Sequence, residues 1–392
     1  MQYRTFGRTG MEVSVLGFGA MRLPAYEDAT CRLEESVTLL RRGIDLGINY
    51  IDTAYGYRAG TSEVAVGQAV KIYDREKLFL ATKIPVHDEE SAKGSVWRAK
   101  FEESLKRLDT DYVDVILFHG LRWVEFEGYV SKPNMALAEA RKAQSEGLVR
   151  HIGFSCHDTT ENVIKLIDTG EFPMMLVQYN YLDRHNEPAI AHASDKGLGV
   201  TIMGPIGGGR LVMPAGVVID TENASEIRTP ELALRFVWSN SHVSVALSGM
   251  NEMAQVEENV AAADKTGAMG EAEQDSITQL IEENQKLADL YCTGCGYCMP
   301  CPNEVEIPEN FRYMNWYRVW GLEEQAKAAY EMLNNEQGVQ TRWAGLVRGL
   351  KAEECIECGE CEPQCPQNIP IVEQLREVAE VLGNSHLRHA DG

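Results

Sequence analysis

Between residues 13 and 265 the chain alternates short β-rich runs with longer stretches that carry apolar residues at helical spacing. The runs are VSVLGFGA (13–20), NYIDTA (49–54), KLFLATKI (77–84), VDVILFHG (113–120), RHIGFSCH (150–157), MMLVQYNYL (174–182), GVTIMGPI (199–206) and VSVALSGM (243–250). Between them lie amphipathic stretches such as EESVTLLRRGIDLG, WRAKFEESLKRL, ALAEARKAQSEG and PELALRFVWSN, many followed by a Gly or Asn stop signal. Eight strand–helix units in about 265 residues match the α/β architecture of a (β/α)8 TIM barrel. A doubly wound open sheet is the alternative, but its GxGxxG fingerprint is absent where the first strand ends in LGFGAMR.

Barrel chemistry belongs at the C-terminal ends of the strands. Those ends carry Asp52 after the second run, Lys83 at the end of the third and His119 at the end of the fourth, with Tyr55 and Tyr57 just beyond Asp52. Each alone has a structural explanation, as a satisfied histidine, a solvated lysine or a half-buried tyrosine. Convergence at three successive strand ends favours function. A free tyrosine, with a pKa of about 10, exchanges protons poorly near neutrality. A neighbouring ammonium favours the phenolate, and a carboxylate can hold that ammonium in place. Asp52, Lys83 and one of the two tyrosines therefore read as a tuned acid–base, with His119 orienting a carbonyl oxygen for hydride transfer.

FGRTGMEVSVLGFGAM, IDTAYGYRAGTSE, ATKIP, ILFHG, GLVRHIGFSCHD and SGMNEMAQVEEN, in this order, resemble the aldo-keto reductases over about residues 1–265. The resemblance selects Tyr57, five residues after Asp52, as general acid/base, with Asp52, Lys83 and His119 completing a catalytic tetrad and Tyr55 as a pocket wall. It also implies a nicotinamide cofactor, NAD(H) or NADP(H), across the barrel mouth. Gly207, Gly208 and Gly209 in GPIGGGRL (204–211) would let backbone N–H groups approach its phosphates, although the segment also reads as a plain flexible loop. Ser155 and Gln178 match positions that bind the carboxamide, and Ser248, Gly249, Gln255, Glu258 and Asn259 match further cofactor contacts. Three departures bear on this. Cys156 stands where many relatives have asparagine, Met203 replaces a stacking aromatic, and SGMNEMAQVEEN has no Lys or Arg for a 2′-phosphate. Glu252, Glu257 and Glu258 would repel such a phosphate, which favours NADH unless Arg210 or Arg228 compensates.

Eight of the ten cysteines fall in CTGCGYCMPCP (Cys292, Cys295, Cys298, Cys301) and CIECGECEPQCP (Cys355, Cys358, Cys361, Cys365). A zinc knuckle needs two C-x2-C pairs, so the third cysteine at that spacing is surplus. C-x2-C-x2-C suits three corners of an iron–sulfur cube, and in two-cluster ferredoxins the distant fourth cysteine ligates the other cube. Two 4Fe-4S clusters are expected, one on Cys292, Cys295, Cys298 and Cys365, the other on Cys355, Cys358, Cys361 and Cys301. FRYMNWYRVWGLEEQAKAAYEML and TRWAGLVRGL read as helices, so the tail resembles a mainly α-helical 4Fe-4S ferredoxin-like domain. Trp316, Trp320 and Trp343 would form its core or touch the barrel. Of the other two cysteines, Cys156 reads as packing and Cys31 carries no assignment.

The expected organisation is a barrel over 1–265, a linker helix over 266–290 and a dicluster domain over 291–392, as in the iron–sulfur-containing branch of the aldo-keto reductases. A helix over 271–291, about 30 Å long, would return along the barrel and deliver Cys292 near the catalytic rim. Clusters move single electrons and nicotinamide moves hydride. Either a flavin converts between them, or the clusters feed a bound radical, or they serve as structure or sensor. A formal net charge of −22 over 392 residues argues against nucleic acid and anionic membranes as partners. The absence of an apolar leader near residue 1 gives a cytoplasmic expectation. The leading function is an oxidoreductase interconverting a carbonyl and an alcohol, with a small-molecule substrate and an electron carrier such as ferredoxin as partners. The alternatives are a ferredoxin-linked reductase without nicotinamide, and a non-enzymatic redox-sensing protein.

Overall fold

The computed structural model describes residues 1–26, 28–209, 230–265, 269–270, 275, 292, 294–320, 322–341 and 345–383. The chain divides into two compact units, Met1–Pro205 with Glu231–Gly270, and Ile206–Pro230 with Glu271–Gly392. Apart from Asp275, the helix expected over 271–291 lies outside the described residues, as do Arg210, Arg228 and Trp343. Among the described residues no helix is long and apolar enough to cross a membrane.

In the first unit β1 (Tyr3–Thr5) and β2 (Glu12–Ser14) form an antiparallel hairpin. Eight parallel strands follow: β3 (Leu16–Gly19), β4 (Tyr50–Asp52), β5 (Phe79–Pro85), β6 (Val113–His119), β7 (Val149–Cys156), β8 (Met174–Gln178), β9 (Gly199–Met203) and β10 (Val245–Ser248). They close in sequence order, with β10 bonded to both β9 and β3. The connections include α1 (Leu33–Asp45), α2 (Thr61–Val70), α3 (Gly94–Leu108), α4 (Ala136–Ser145), α5 (Thr160–Asp168), α6 (Glu187–Asp195), α7 (Pro230–Ser239) and α8 (Met253–Asp264). This is the eight-stranded barrel that the alternating pattern predicts. Strands covered on both faces need apolar residues throughout, which is why β8, MMLVQ, is buried at every position. The helices bury one stripe only; α1 sinks Val37, Leu39, Leu40 and Gly43 and ends before Gly47, whose φ is 100°.

The hairpin supplies the barrel's base. Phe6, Met11 and Val13 join Tyr50, Ala81, Val115, Met174 and Val245 in one buried cluster. Gly7 turns at φ 52° directly against Leu198 and Gly199, where any Cβ would lie 2.3 Å from the Gly199 nitrogen. Gly199 lacks a side chain because the Phe6 ring occupies that space. Phe6→Ala is expected to destabilise the barrel by about 3–5 kcal/mol, the range for emptying a fully buried phenylalanine site. Denaturant unfolding measures this; a loss below about 1 kcal/mol would mean that the hairpin contributes little.

The second unit has its own core around α9 (Ile307–Trp320), α10 (Glu323–Glu331) and α11 (Ile371–Leu382). Phe311, Tyr313, Met314, Trp316, Tyr330, Leu375 and Val378 are buried together, with six of the cysteines packed against them. Trp316 is thus core, its ring 5.2 Å from Tyr313. TRWAGLVRGL is not a helix as expected. Thr341 ends β11 (Asn335–Thr341) and Gly345–Gly349 forms β12, paired antiparallel with it. Gly345 and Gly349 each disfavour a helix by about 1 kcal/mol, and pairing with a partner strand satisfies the backbone instead.

Candidate active site

Asp52 and His119 end β4 and β6, Lys83 lies two residues before the end of β5, and the register places them on adjacent strands. Backbone N–H groups of Thr53 and Tyr55 still reach Ala81 O (2.8 Å) and Lys83 O (3.0 Å), so the chain stays zipped to β5 beyond β4. It then turns back over Lys83. The Lys83 ammonium pairs with Asp52 Oδ1 and donates to Thr53 O (2.7 Å) and to the Tyr57 hydroxyl (3.3 Å). The His119 ring stands edge-on to Tyr57 with centroids 5.6 Å apart. Lys83 is 1% and Asp52 3% exposed, so this ion pair works at low dielectric. Burial pushes the Asp52 carboxyl up, against the pull of Lys83, and Asp52 Oδ2 has no hydrogen-bond partner among the described residues. Burial, then the charge of Lys83 and the neighbouring His87 and His157, hold His119 well below the ordinary histidine range. His119 is therefore neutral near pH 7 and can donate one N–H. The four residues separated by up to 67 positions in sequence meet at one end of the barrel.

Tyr55 is not the expected pocket wall. Its hydroxyl donates to Glu103 Oε2 (2.7 Å), and the Arg107 guanidinium lies 4.5 Å over its ring while donating to Tyr55 O. Both partners belong to α3, so this tyrosine clamps the loop to a helix. Tyr55→Phe should keep turnover within about tenfold of the parent and lose about 1 kcal/mol of stability, the worth of one hydrogen bond. Steady-state rates and thermal melts check both values.

The expected cofactor positions are distributed as follows. Ser155, 2% exposed, accepts from Gly120 N (2.9 Å). Gln178 fills the space over Gly204, whose φ of 62° favours glycine and where a Cβ would approach the Gln178 amide to 2.4 Å. Gly207–Gly209 forms a tight turn after β9, with Gly207 and Gly208 at φ 56° and 67°. Ser248 Oγ accepts from Asn259 Nδ2 (3.0 Å), which ties β10 to α8. Gln255 Oε1 accepts from Asn251 N (2.9 Å), and Glu258 is exposed on α8. Glu257, expected to repel a phosphate, instead pairs with Arg42 of α1 at 2.8 Å. Cys156 is fully buried, accepts from Asp158 N and has its thiol pushed up to about 12 by burial. It is packing, as expected.

In the second unit the two cysteine loops share one backbone design. Gly294 and Gly296 in the first, and Glu357 and Gly359 in the second, all have positive φ. The N–H two residues after the first cysteine points at that sulfur in both, from Gly294 to Cys292 and from Glu357 to Cys355, at 3.4 Å each. Glu357 also binds Arg376 through two bonds of 2.6 and 2.7 Å. Cys292, Cys295, Cys298 and Cys365 line one cavity with Ile307, Phe311 and other apolar groups. Val305 bridges in parallel to Leu350, and Asn303 Nδ2 donates to Glu354 O (2.6 Å), bringing Cys301 toward the second loop. Burial and the three neighbouring thiols push Cys298 up to about 12; burial, Glu362, Cys355 and Cys301 push Cys361 up to about 11. Cys365 thus lies with the first loop's thiols, and Cys301 lies near Cys355 and Cys361 of the second. Among the described residues no three His, Cys, Asp or Glu converge as a site for a single ion.

The Aldo/keto reductase family model matches residues 15–214, just over half of the chain. The chain belongs to the aldo/keto reductase family. A 4Fe-4S dicluster domain model matches residues 291–369 of this reductase. L-galactose dehydrogenase of Arabidopsis thaliana is 28% identical over 307 residues, covering 71% of the reductase and 93% of that enzyme. NADH-specific methylglyoxal reductase of Escherichia coli is 28% identical over 305 residues, covering 65% and 91%. Among solved structures, the aldo/keto reductase of Klebsiella pneumoniae in complex with NADP and acetate superposes with a TM-score of 0.58 at 25% identity, covering 72% and 96%.

Sequence reasoning missed the histidines around the reductase's site. His87 lies 6.4 Å from the His119 ring, and His157 is held down to about 4 by burial. His87, His119, His151 and His157 are all lowered, chiefly by burial; His185 alone is raised, by Asp183. Between the lowered values and 6.5 the unfolded chain binds more protons than the folded one, so stability rises with pH there. The contribution of His157 is complete above about 6.5 and is lost as pH falls toward about 4. His185 acts with the opposite sign but is one group against four. The barrel's melting temperature should therefore fall on acidification from pH 7 to 5; a rise would contradict the burial of neutral imidazoles.

Proposed function

We propose that this reductase interconverts a carbonyl and an alcohol with NAD(P)H, and that its C-terminal unit holds two 4Fe-4S clusters that pass electrons. The observation that carries the barrel chemistry is the Lys83 ammonium bridging Asp52 and the Tyr57 hydroxyl, 3.3 Å from the latter. Lys83 stabilises the phenolate that Tyr57 becomes when it gives its proton to the carbonyl oxygen. Asp52 keeps Lys83 aimed there, and neutral His119 donates a hydrogen bond to the same oxygen. Nicotinamide, when bound, would supply the hydride, and Ser155 and Gln178 would orient its carboxamide.

The thiol grouping supports the cluster assignment: Cys292, Cys295, Cys298 and Cys365 line one cavity, and Cys301 and Cys355 both lie close enough to act on the Cys361 thiol. Four thiolates held together need positive charge among them, and an apolar shell suits such a centre. The clusters would exchange single electrons with a carrier protein, which suits a cytoplasmic setting. A second reading, in which electrons reach the barrel from the clusters without nicotinamide, draws on Met203 and Cys156 at positions where relatives carry cofactor contacts.

Anaerobic protein titrated with NADH, then NADPH, across a panel of aldehydes and ketones tests the first reading. Carbonyl-dependent oxidation of either nucleotide is the expected result. Turnover with reduced viologen but with neither nucleotide would replace it by the second.

A further inference from the structure

Two arginines occupy the first two strand-to-helix connections at the barrel mouth, outside the Asp52–Lys83–Tyr57–His119 group. Arg22 ends a tight turn after β3, and its aliphatic stem lies on Gly249 just past β10; a Cβ on that glycine would be 3.0 Å from Arg22 Cδ. Arg58 directly follows Tyr57. The two connections are tied together. Ser62 Oγ donates to Ala20 O (2.9 Å) and shares a hydrogen bond with Thr53 Oγ1 (2.8 Å). Cys31 N donates to Thr61 Oγ1 (2.7 Å), which donates to Arg58 O (2.6 Å).

Arg58 is held in an unfavourable state. Its φ is 52° and that of Ala59 is 51°, a left-handed pair that is strained without glycine. Its Nε is buried with no hydrogen-bond partner among the described residues. Burial lowers its guanidinium from the ordinary value, Cys31 acts against this, and the like charge of Arg22 adds to the lowering. A bound anion would satisfy the buried donor and relieve the repulsion between the two cations. Arg22 itself supplies what the SGMNEMAQVEEN segment lacks, a cation beside Gly249.

We infer that Arg22 and Arg58 form an anion subsite beside Tyr57, taking a carboxylate or phosphate carried by the molecule bound at the barrel mouth, either the carbonyl substrate or the nicotinamide cofactor. This rests on the carbonyl-reductase reading of that mouth and narrows it.

Matched probes separate the two sources. The full-length anaerobic protein and its Arg22→Gln and Arg58→Gln variants are assayed with 4-carboxybenzaldehyde and its neutral ester, methyl 4-formylbenzoate. Affinities for NADH and NADPH are measured in parallel. If the anion is on the substrate, the acid-to-ester ratio of kcat/KM falls about 10- to 100-fold, the loss of a charged hydrogen bond, and Arg58→Lys restores part of it. If the anion is on the cofactor, Kd for a nucleotide rises by a similar factor while the ratio holds. Either result supports the subsite. Folded variants that keep both ratio and Kd within about twofold overturn it. Arg58→Gly, which suits the left-handed turn, serves if the Gln variant does not fold. Should the parent reduce neither aldehyde, the carbonyl-reductase reading fails. Fluorescence titration with the acid and with NADPH then still decides the subsite, since unaltered binding in the variants refutes it and weakened binding upholds it.

Discussion

Tyr57→Phe should lower kcat/KM for carbonyl reduction by roughly 10²- to 10⁴-fold, the usual worth of a positioned general acid. The substitution removes one hydroxyl and leaves the Asp52–Lys83 ion pair, the His119 ring contact and the C-terminal unit in place. Visible absorbance and melting temperature should therefore match the parent. A variant that keeps activity within about tenfold would remove Tyr57 from the chemistry, and loss in Tyr55→Phe with an active Tyr57→Phe would transfer the role. Lys83→Met should be comparably slow, because the phenolate loses its cation. It also strands the buried Asp52 carboxylate, which costs about 3–5 kcal/mol, so its rate must be read on protein shown to be folded.

The second large effect concerns the cysteines. Anaerobic protein should contain about eight iron and eight acid-labile sulfide, as two cubes require. Crossed ligation makes a specific claim about double variants. Cys298→Ala with Cys365→Ala removes two ligands from one cluster, so one undamaged cube of about four iron should survive. Cys298→Ala with Cys301→Ala damages both. Ligation by neighbours along the chain predicts the reverse, and iron analysis with low-temperature paramagnetic resonance distinguishes them. Because site and fold form together in small metal domains, iron removal should also expose Trp316 and quench the cooperative melting of this unit, whose core packs directly against the cysteines. Stoichiometric zinc in place of iron in anaerobic protein would sink the assignment.

Much of this was legible in the chain because it is periodic or closely spaced. The eight strands repeat a pattern that buries both faces, and C-x2-C-x2-C needs only a short loop. The strand-end rule picked out Asp52, Lys83 and His119 without coordinates. What escaped involves partners far apart in sequence. Glu257 looked like a repelling charge on the cofactor segment until Arg42, 215 residues away, took it up. Tyr55 is tied to α3 by Glu103 and Arg107, about 50 residues on. TRWAGLVRGL carries little local signal, and the neighbouring strand Asn335–Thr341 decided its state.

By itself the sequence determined which chemistry this reductase carries and on what scaffold: a parallel eight-stranded barrel, one acid–base set at its strand ends, and eight thiols in two ferredoxin-like loops. These follow from local spacing, which the backbone geometry of strands and tight loops converts into position. Tertiary structure alone decided which groups share an environment. Closure of the barrel buried the Lys83–Asp52 pair to 1% and 3% exposure beside Tyr57, and buried His119, which that burial and then the charge of Lys83 keep neutral. The same closure laid Arg22 along Gly249, at the opposite end of the barrel sequence. The bridge from Val305 to Leu350 tied the segment after Cys301 to the one before Cys355. Burial and charge proximity are sums over neighbours brought in from the whole chain, so they exist only once it has folded.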